Sequence, residues 1–326
     1  MSLFSELGLS NELVKAVEDL GFTQPTAIQG KAIPYLIQNT GDFIGLAQTG
    51  TGKTAAFGLP MLQNLDSNER VVQGLVICPT RELCLQIAKD LDNFMAYIPA
   101  LKVVPVYGGS SIETQIREIK KGAQVIVATP GRLIDLLERG AVRLNHVHIV
   151  ILDEADEMLN MGFKEDLNTI LEQTPETKNT WLFSATMPQE VRFIAKNYMS
   201  NPFEVTVGTK NTTNENIEHV YYLARAKDKY QSLKRLLDFN PEIYSIVFAK
   251  TKLDCQEISD HLMKDGYNAD ALHGDLSQAQ RDRVMERFRN KSLQILVATD
   301  VAARGIDVDN ITHVINYSLP DELEVY

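Results

Sequence analysis

The chain of 326 residues is longer than one hydrophobic core usually supports, so two domains are expected. With 44% hydrophobic and 23% charged residues it has ordinary globular composition, which excludes a largely disordered or fibrous protein. The 32 basic and 43 acidic side chains leave a net charge of −11, which excludes a polybasic protein and confines any nucleic-acid binding to a local basic face.

The opening residues, MSLFSELGLSNELVKAVEDL, lack the basic start and apolar run of a signal peptide, and the periodicity predicts a helix over Asn11–Leu20. Short β-branched runs then alternate with helical stretches, the sequence form of repeated βαβ units with a buried parallel sheet. Strands are predicted at Asp42–Ala47, Gly74–Pro79, Val103–Tyr107, Gln124–Thr129, His148–Asp153 and Thr180–Ser184, with helices at Glu82–Tyr97 and Lys164–Gln173 among them. The polar segment VGTKNTTNEN at 207–216 breaks the pattern and reads as a linker. Beyond it, strands are predicted at Glu218–Leu223, Ser245–Phe248, Ala269–Leu272, Gln294–Ala298 and His313–Asn316, and helices at Lys229–Asp238, Lys252–Lys264 and Gln278–Arg289. The division is therefore 1–206, a linker at 207–217, and 218–326. Two copies of one α/β architecture would account for the two halves, but their sequence self-similarity is too weak to establish it. No segment approaches 18 consecutive apolar residues, and Cys78, Cys84 and Cys255 form no C-x-x-C pair. The expectation is a soluble cytoplasmic protein with no membrane partner and reduced thiols.

Ala47-Gln-Thr-Gly-Thr-Gly-Lys-Thr54 follows the first predicted strand and opens a helix. Such a loop, with Thr49, Gly50, Thr51 and Gly52, turns backbone N–H groups toward a phosphate at a helix N-terminus. Lys53 is then placed for the β/γ-phosphates of a nucleoside triphosphate, and the Thr54 hydroxyl for Mg²⁺. Ala47 stands where the general pattern has its first glycine. The strand at His148–Asp153 ends in the carboxylates of Asp153, Glu154 and Asp156, at the strand end where open α/β sheets bind ligands. Asp153 is the expected second Mg²⁺ partner, and Glu154 the group that orients or deprotonates the attacking water. Taken alone, each motif has a plainer reading, a glycine-rich turn or a solvated acidic turn. His146 and His148 read as strand residues and Trp181 as core.

Gly21-Phe-Thr-Gln-Pro-Thr-Ala-Ile-Gln29, with Phe4 before it, resembles the Q motif of DEAD-box RNA helicases of the bacterial type. Pro79–Leu83, Gly108-Gly109, Thr129–Arg132, Asp153–Asp156 and Ser184–Thr186 follow in that family's order. Ile246–Thr251, His273–Gln278 with Arg281, and Thr299–Asp307 continue it. The resemblance implies two RecA-like parallel-sheet domains in tandem, the second incomplete, that close on ATP, Mg²⁺ and single-stranded RNA and separate short RNA duplexes locally.

On this resemblance Phe4, Phe22 and Gln29 select adenine, with Phe4 as a stacking face; its other reading is a core anchor for the first helix. Gly305 and Asp307 complete the nucleotide site. Asp156, Ser184 and Thr186 couple ATP to unwinding, with Ser184 and Thr186 bonding toward Asp156 across the cleft. RNA contacts fall on Thr80, Arg81, Gly109, Thr129, Gly131 and Arg132, then on Gly274, Gln278, Arg281, Thr299 and Arg304. They meet phosphate and sugar, so RNA is bound without regard to sequence. For Arg132 and Arg281 a surface salt bridge is the other reading, and the basic helix from Arg281 to Lys291 is either a solvated face or an RNA rail. Ribosome-assembly or RNA-decay proteins are the family's usual partners. The H-R-x-G-R-x-G-R motif that supplies the family's arginine finger is not within the 326 residues. Such a finger is typically worth a factor of roughly 10³–10⁵, so this chain is expected to turn ATP over weakly. The alternative function is an ATP-gated, non-catalytic RNA clamp, and a DNA translocase is a further rival.

Overall fold

A computed structural model describes residues 3–39, 41–207, 217–303, 306, 308 and 310–319. The chain divides into two compact units, Met1–Thr213 and Asn214–Tyr326. No helix among the described residues is long and apolar enough to cross a membrane.

The first unit carries strands β1 (Phe43–Leu46), β2 (Gly74–Ile77), β3 (Val103–Val106), β4 (Val125–Ala128), β5 (Ile149–Asp153), β6 (Asn179–Ser184) and β7 (Phe203–Thr206). They form one sheet in the order β3-β4-β2-β5-β6-β1-β7, and every pairing is parallel. Its helices are α1 (Asn11–Asp19), α2 (Ala27–Gln38), α3 (Lys53–Gln63), α4 (Arg81–Phe94), α5 (Ile112–Lys120), α6 (Pro130–Glu138), α7 (Ala155–Asn160), α8 (Lys164–Glu172) and α9 (Gln189–Tyr198). Alternate residues of one strand enter separate cores: Val76 and Val127 pack into one, Leu75, Ile77 and Ile126 into the other. Both faces of the sheet are therefore dry, which is why its inner strands read as continuous apolar runs. Trp181 is 1% exposed, as its apolar strand implies.

Two strand expectations fail in opposite ways. β7 was not predicted, because only Val205 of Phe203–Thr206 is buried and an edge strand needs no apolar run. Its Phe203 stacks on Tyr35 at 4.2 Å instead. Glu218–Leu223, predicted as a strand, joins no sheet among the described residues, and Val220, Tyr221, Tyr222 and Leu223 are all exposed. The β-branched and aromatic content is there, but a strand is completed by a neighbour's ladder and a buried face, and neither is supplied.

The second unit holds α10 (Lys229–Phe239), β8 (Ser245–Phe248), α11 (Lys252–Lys264), β9 (Ala269–Leu272), α12 (Gln278–Arg289), β10 (Ile295–Ala298), α13 (Asp300–Ala303) and β11 (His313–Asn316). Its parallel sheet runs β11-β8-β10-β9, the same order as β5-β2-β4-β3 in the first unit. The spacings agree as well. Thr80 and Thr251 each cap a helix three residues after β2 or β8, and Ser111 and Ser277 each cap one five residues after β3 or β9. Cys84 and Cys255, four residues after those threonines, donate S–H to the Val127 and Val297 carbonyls at 3.1 and 3.0 Å. The two units are thus built on one plan, although their side chains differ too much for the sequence to reveal it.

Candidate functional site

Because every pairing in the first sheet is parallel, the C-terminal ends of all its strands lie along one edge, where chain leaves strand for helix. β1, β6 and β5 are adjacent there. After β1 the loop rises through Gly50 and Gly52, with φ of 75° and 85°, into the N-terminus of α3. The φ of Gly52 favours glycine, and a Cβ there would displace the Gln29 amide, which lies against the loop. Gly52 caps α3 with no side chain, leaving the helix N-terminus turned toward an anion. Gln48, Thr49 and Gly50 are exposed, while Lys53 is buried and donates from Nζ to the Ala47 carbonyl at 3.1 Å.

After β5, Asp153 is 3% exposed and Glu154 takes the left-handed conformation at φ 53°, its N–H bonded to Asp153 Oδ1 at 3.1 Å. Burial pushes the Asp153 carboxyl up against the pull of Lys53. Burial, then the charge of Asp153, pushes Glu154 up to about 7. After β6, the Ser184 hydroxyl accepts from the Asp156 N–H at 3.3 Å. Asp156 Oδ2 accepts from the Thr186 N–H at 2.8 Å and from its hydroxyl at 2.7 Å. The bonds from Ser184 and Thr186 to Asp156 thus join neighbouring strand ends within one unit.

Gln29 lies behind the loop, 3% exposed, in a capping box in which its Oε1 accepts from the Thr26 N–H at 2.9 Å. Its Nε2 donates to the Gly52 carbonyl at 3.1 Å, tying α2 to the loop. Phe4 is not the open stacking face expected of it. It is 0% exposed in the core, 6.0 Å from the half-buried Phe22, so the anchoring role is the one the packing shows.

The ends of β2, β3 and β4, the other half of the edge, carry the remaining first-unit candidates. Thr80 caps α4 by accepting from the Leu83 N–H at 3.2 Å. The Arg81 guanidinium lies 4.9 Å over the Tyr107 ring. Gly109 and Gly131 are exposed and Thr129 is half-buried. Arg132 makes the helix-surface ion pair, its Nε 3.8 Å from Oδ2 of the exposed Asp135, and more besides: its side chain is 13% exposed, and Nη1 donates to the Ser110 carbonyl and to Gln115 Oε1.

A profile of the DEAD/DEAH box helicase family matches residues 26–194, and one for the helicase conserved C-terminal domain matches 228–326. The chain belongs to the DEAD-box helicase family. It is 49% identical over all 326 residues to the DEAD-box ATP-dependent RNA helicase CshA of Geobacillus kaustophilus, spanning 69% of that protein. To the ATP-dependent RNA helicase DeaD of Mycobacterium tuberculosis it is 47% identical, over 99% of this chain and 57% of that one. The chain therefore spans between just over half and about two thirds of these curated DEAD-box relatives. Among solved structures, S. cerevisiae Dbp5 bound to RNA and ADP BeF3 matches with TM-score 0.88 and 32% identity, over 98% of this chain and 82% of that one. A DEAD box protein from Methanococcus jannaschii matches at 41% identity and TM-score 0.60, over 99% and 87% of the two chains.

In the second unit of this DEAD-box chain Gly274 is exposed, and Gln278 donates to Asp282 Oδ1 at 2.9 Å. Arg281 is half-buried, and its Nε has no hydrogen-bond partner among the described residues. The Thr299 hydroxyl accepts from the Ala302 N–H at 3.4 Å. Arg287 of the basic helix, its side chain 41% exposed, pairs with Asp270 on the sheet at 2.6 Å. Arg304, Gly305 and Asp307 lie outside the described residues, as does most of the expected linker. The motifs passed over Tyr107 and Gln115. Nothing in their spacing marks them; only the folded contacts do.

Proposed function

We propose that the chain is the nucleotide- and RNA-binding part of an ATP-dependent RNA helicase. ATP occupies the ends of β1, β6 and β5, and RNA the ends of β2–β4 and their counterparts β8–β10. The observation that carries this reading is the buried acidic pair. Asp153 and Glu154 are pushed toward protonation beside a single buried lysine, at an uncapped helix N-terminus. Among the described residues Lys53 is the one buried lysine or arginine, and such a site invites both an anion and a divalent metal.

The donor set fits Mg²⁺, a hard cation served by oxygen ligands, with Asp153 and the Thr54 hydroxyl to hold it. When bound with ATP, the ion supplies charge neutralisation at the transferring phosphoryl group. The chain's own residues do the rest. Lys53 and the loop N–H groups, with Thr49 and Thr51 beside them, position the phosphates, and Gln29 braces the loop from behind. Glu154, poised near neutrality, takes a proton from water. Phe22 flanks the base. Ser184 and Thr186, fixed to Asp156, report the state of that site to the neighbouring strand ends. Thr80, Arg81, Gly109, Thr129, Gly131 and Arg132, with Gly274, Gln278, Arg281, Thr299 and Arg304, hold the RNA backbone. Gly305 and Asp307 complete the nucleotide site. The three buried free thiols fit a reducing, cytoplasmic compartment. The functional division follows the expected boundaries, 1–206 and 218–326.

Steady-state ATP hydrolysis without nucleic acid, with single-stranded RNA and with DNA of the same sequence tests the proposal. RNA-specific stimulation is expected. Its absolute rate in the 326-residue chain should be low, and an extension carrying the H-R-x-G-R-x-G-R segment should raise it by roughly 10³–10⁵. No stimulation by RNA in either chain would overturn the enzymatic reading in favour of the clamp.

A further inference from the structure

Three RNA-facing segments of the first unit converge on one side chain that no motif includes. Gln115, in α5, is 5% exposed. Its Nε2 donates to the Tyr107 carbonyl at 3.0 Å, and its Oε1 accepts from Arg132 Nη1 at 3.1 Å. The same Nη1 donates to the Ser110 carbonyl at 3.0 Å. Both Nη1 hydrogens are thereby used, which fixes the plane of the guanidinium. Tyr107 in turn carries the Arg81 guanidinium on its ring. Gln115 thus joins the loop after β3, the start of α6 and, through Tyr107, the start of α4. An amide suits the position because it donates and accepts at once, whereas a carboxylate only accepts and a guanidinium only donates.

The second unit shows what else that position can hold. Gln115 is four residues after the cap Ser111, and four residues after the equivalent cap Ser277 stands Arg281. In one unit α12 presents an arginine directly; in the other the arginine comes from α6 and the same register holds its brace.

We propose that Gln115 is a positioning residue for RNA binding, holding Arg132 and the Tyr107–Ser110 backbone in place without touching RNA. This rests on the RNA reading above. The test is binding of labelled single-stranded RNA by the 326-residue chain, with Mg²⁺ and a non-hydrolysable ATP analogue, over a range of KCl concentrations. Gln115→Met should bind RNA about tenfold more weakly, the size expected when buried partners lose a hydrogen-bonding group. Its dependence of log affinity on log salt should match the parent's, because no phosphate contact is lost. Arg132→Gln should reduce that slope by about one. The double variant should bind within about twofold of Arg132→Gln alone, because the two residues act as one unit. Gln115→Glu, which keeps the acceptor for Arg132 and loses the donor to Tyr107, should fall between parent and Gln115→Met, and it carries the test should Gln115→Met not fold.

Parental RNA affinity in Gln115→Met, a salt slope reduced by about one in that variant, or fully additive losses in the double variant would each overturn the positioning role. Absence of RNA binding by the unmutated chain would overturn the RNA reading itself, and the positioning role with it, an outcome distinguishable because it needs no substitution.

Discussion

The four strands β5-β2-β4-β3 and their counterparts β11-β8-β10-β9 share order, direction and helix-cap spacing, yet they serve a ligand edge differently. The first unit adds β1, β6 and β7, and with β1 comes the glycine loop, Lys53 and the uncapped end of α3. The second unit has no counterpart of that loop among its described residues. On the proposed function, the shared strands would carry the RNA-facing positions and the added strands the nucleotide. Even within the shared plan, the position four residues after the cap is an amide in one unit and an arginine in the other, so the plan fixes where a side chain emerges and not what it does.

If the comparison holds, the chain has one ATP site, and Lys53→Ala should remove it. Nucleotide affinity measured calorimetrically should fall by about 10²-fold or more, with parental stoichiometry of one, because the lysine is the buried cation facing Asp153 and Glu154. A second ATP per chain would break the asymmetry. Next in size, Ser184→Ala with Thr186→Ala should leave nucleotide affinity within a few-fold and abolish the ATP-dependent tightening on RNA, a coupling typically worth roughly 5–150-fold. Intact unwinding in that variant would sink the coupling role. Arg281→Gln should weaken RNA binding uniformly over sequences and reduce its salt slope by about one, marking a phosphate contact in the second unit.

The smallest effect concerns stability of the ligand-free chain. Glu154 sits at about 7 when folded and near the ordinary glutamate value when unfolded, so the folded state binds the extra proton. Its ionised form costs stability fully above pH 7, and the cost disappears as pH falls through that value toward 4.5. Glu154→Gln should therefore raise the melting temperature by about 2–6 °C at pH 8 and by nothing measurable near pH 4.5. A pH-independent difference would show that the carboxyl is not held up by burial.

Much of this was legible beforehand because chemistry at strand ends is local. A glycine loop, a lysine and carboxylates after apolar runs announce themselves by spacing, and Asp153, Glu154, Ser184 and Thr186 lie where that spacing puts them. What escaped depends on distant partners. β7 is a strand because β1 offers it a ladder, and Glu218–Leu223 is not one because no strand among the described residues does. Phe4 has the composition of a stacking residue, but Phe22 and the first core cover it. Gln115 looks like any helical glutamine until Tyr107 and Arg132 close around it.

On the proposed function, nucleotide bound at the ends of β1, β6 and β5 controls RNA held elsewhere on the chain. The most direct measurement is RNA affinity with and without a non-hydrolysable ATP analogue and Mg²⁺, together with analogue affinity with and without RNA. Each ligand should tighten the other by the same factor, about tenfold or more, as linkage requires. RNA affinity unchanged by saturating nucleotide would contradict it.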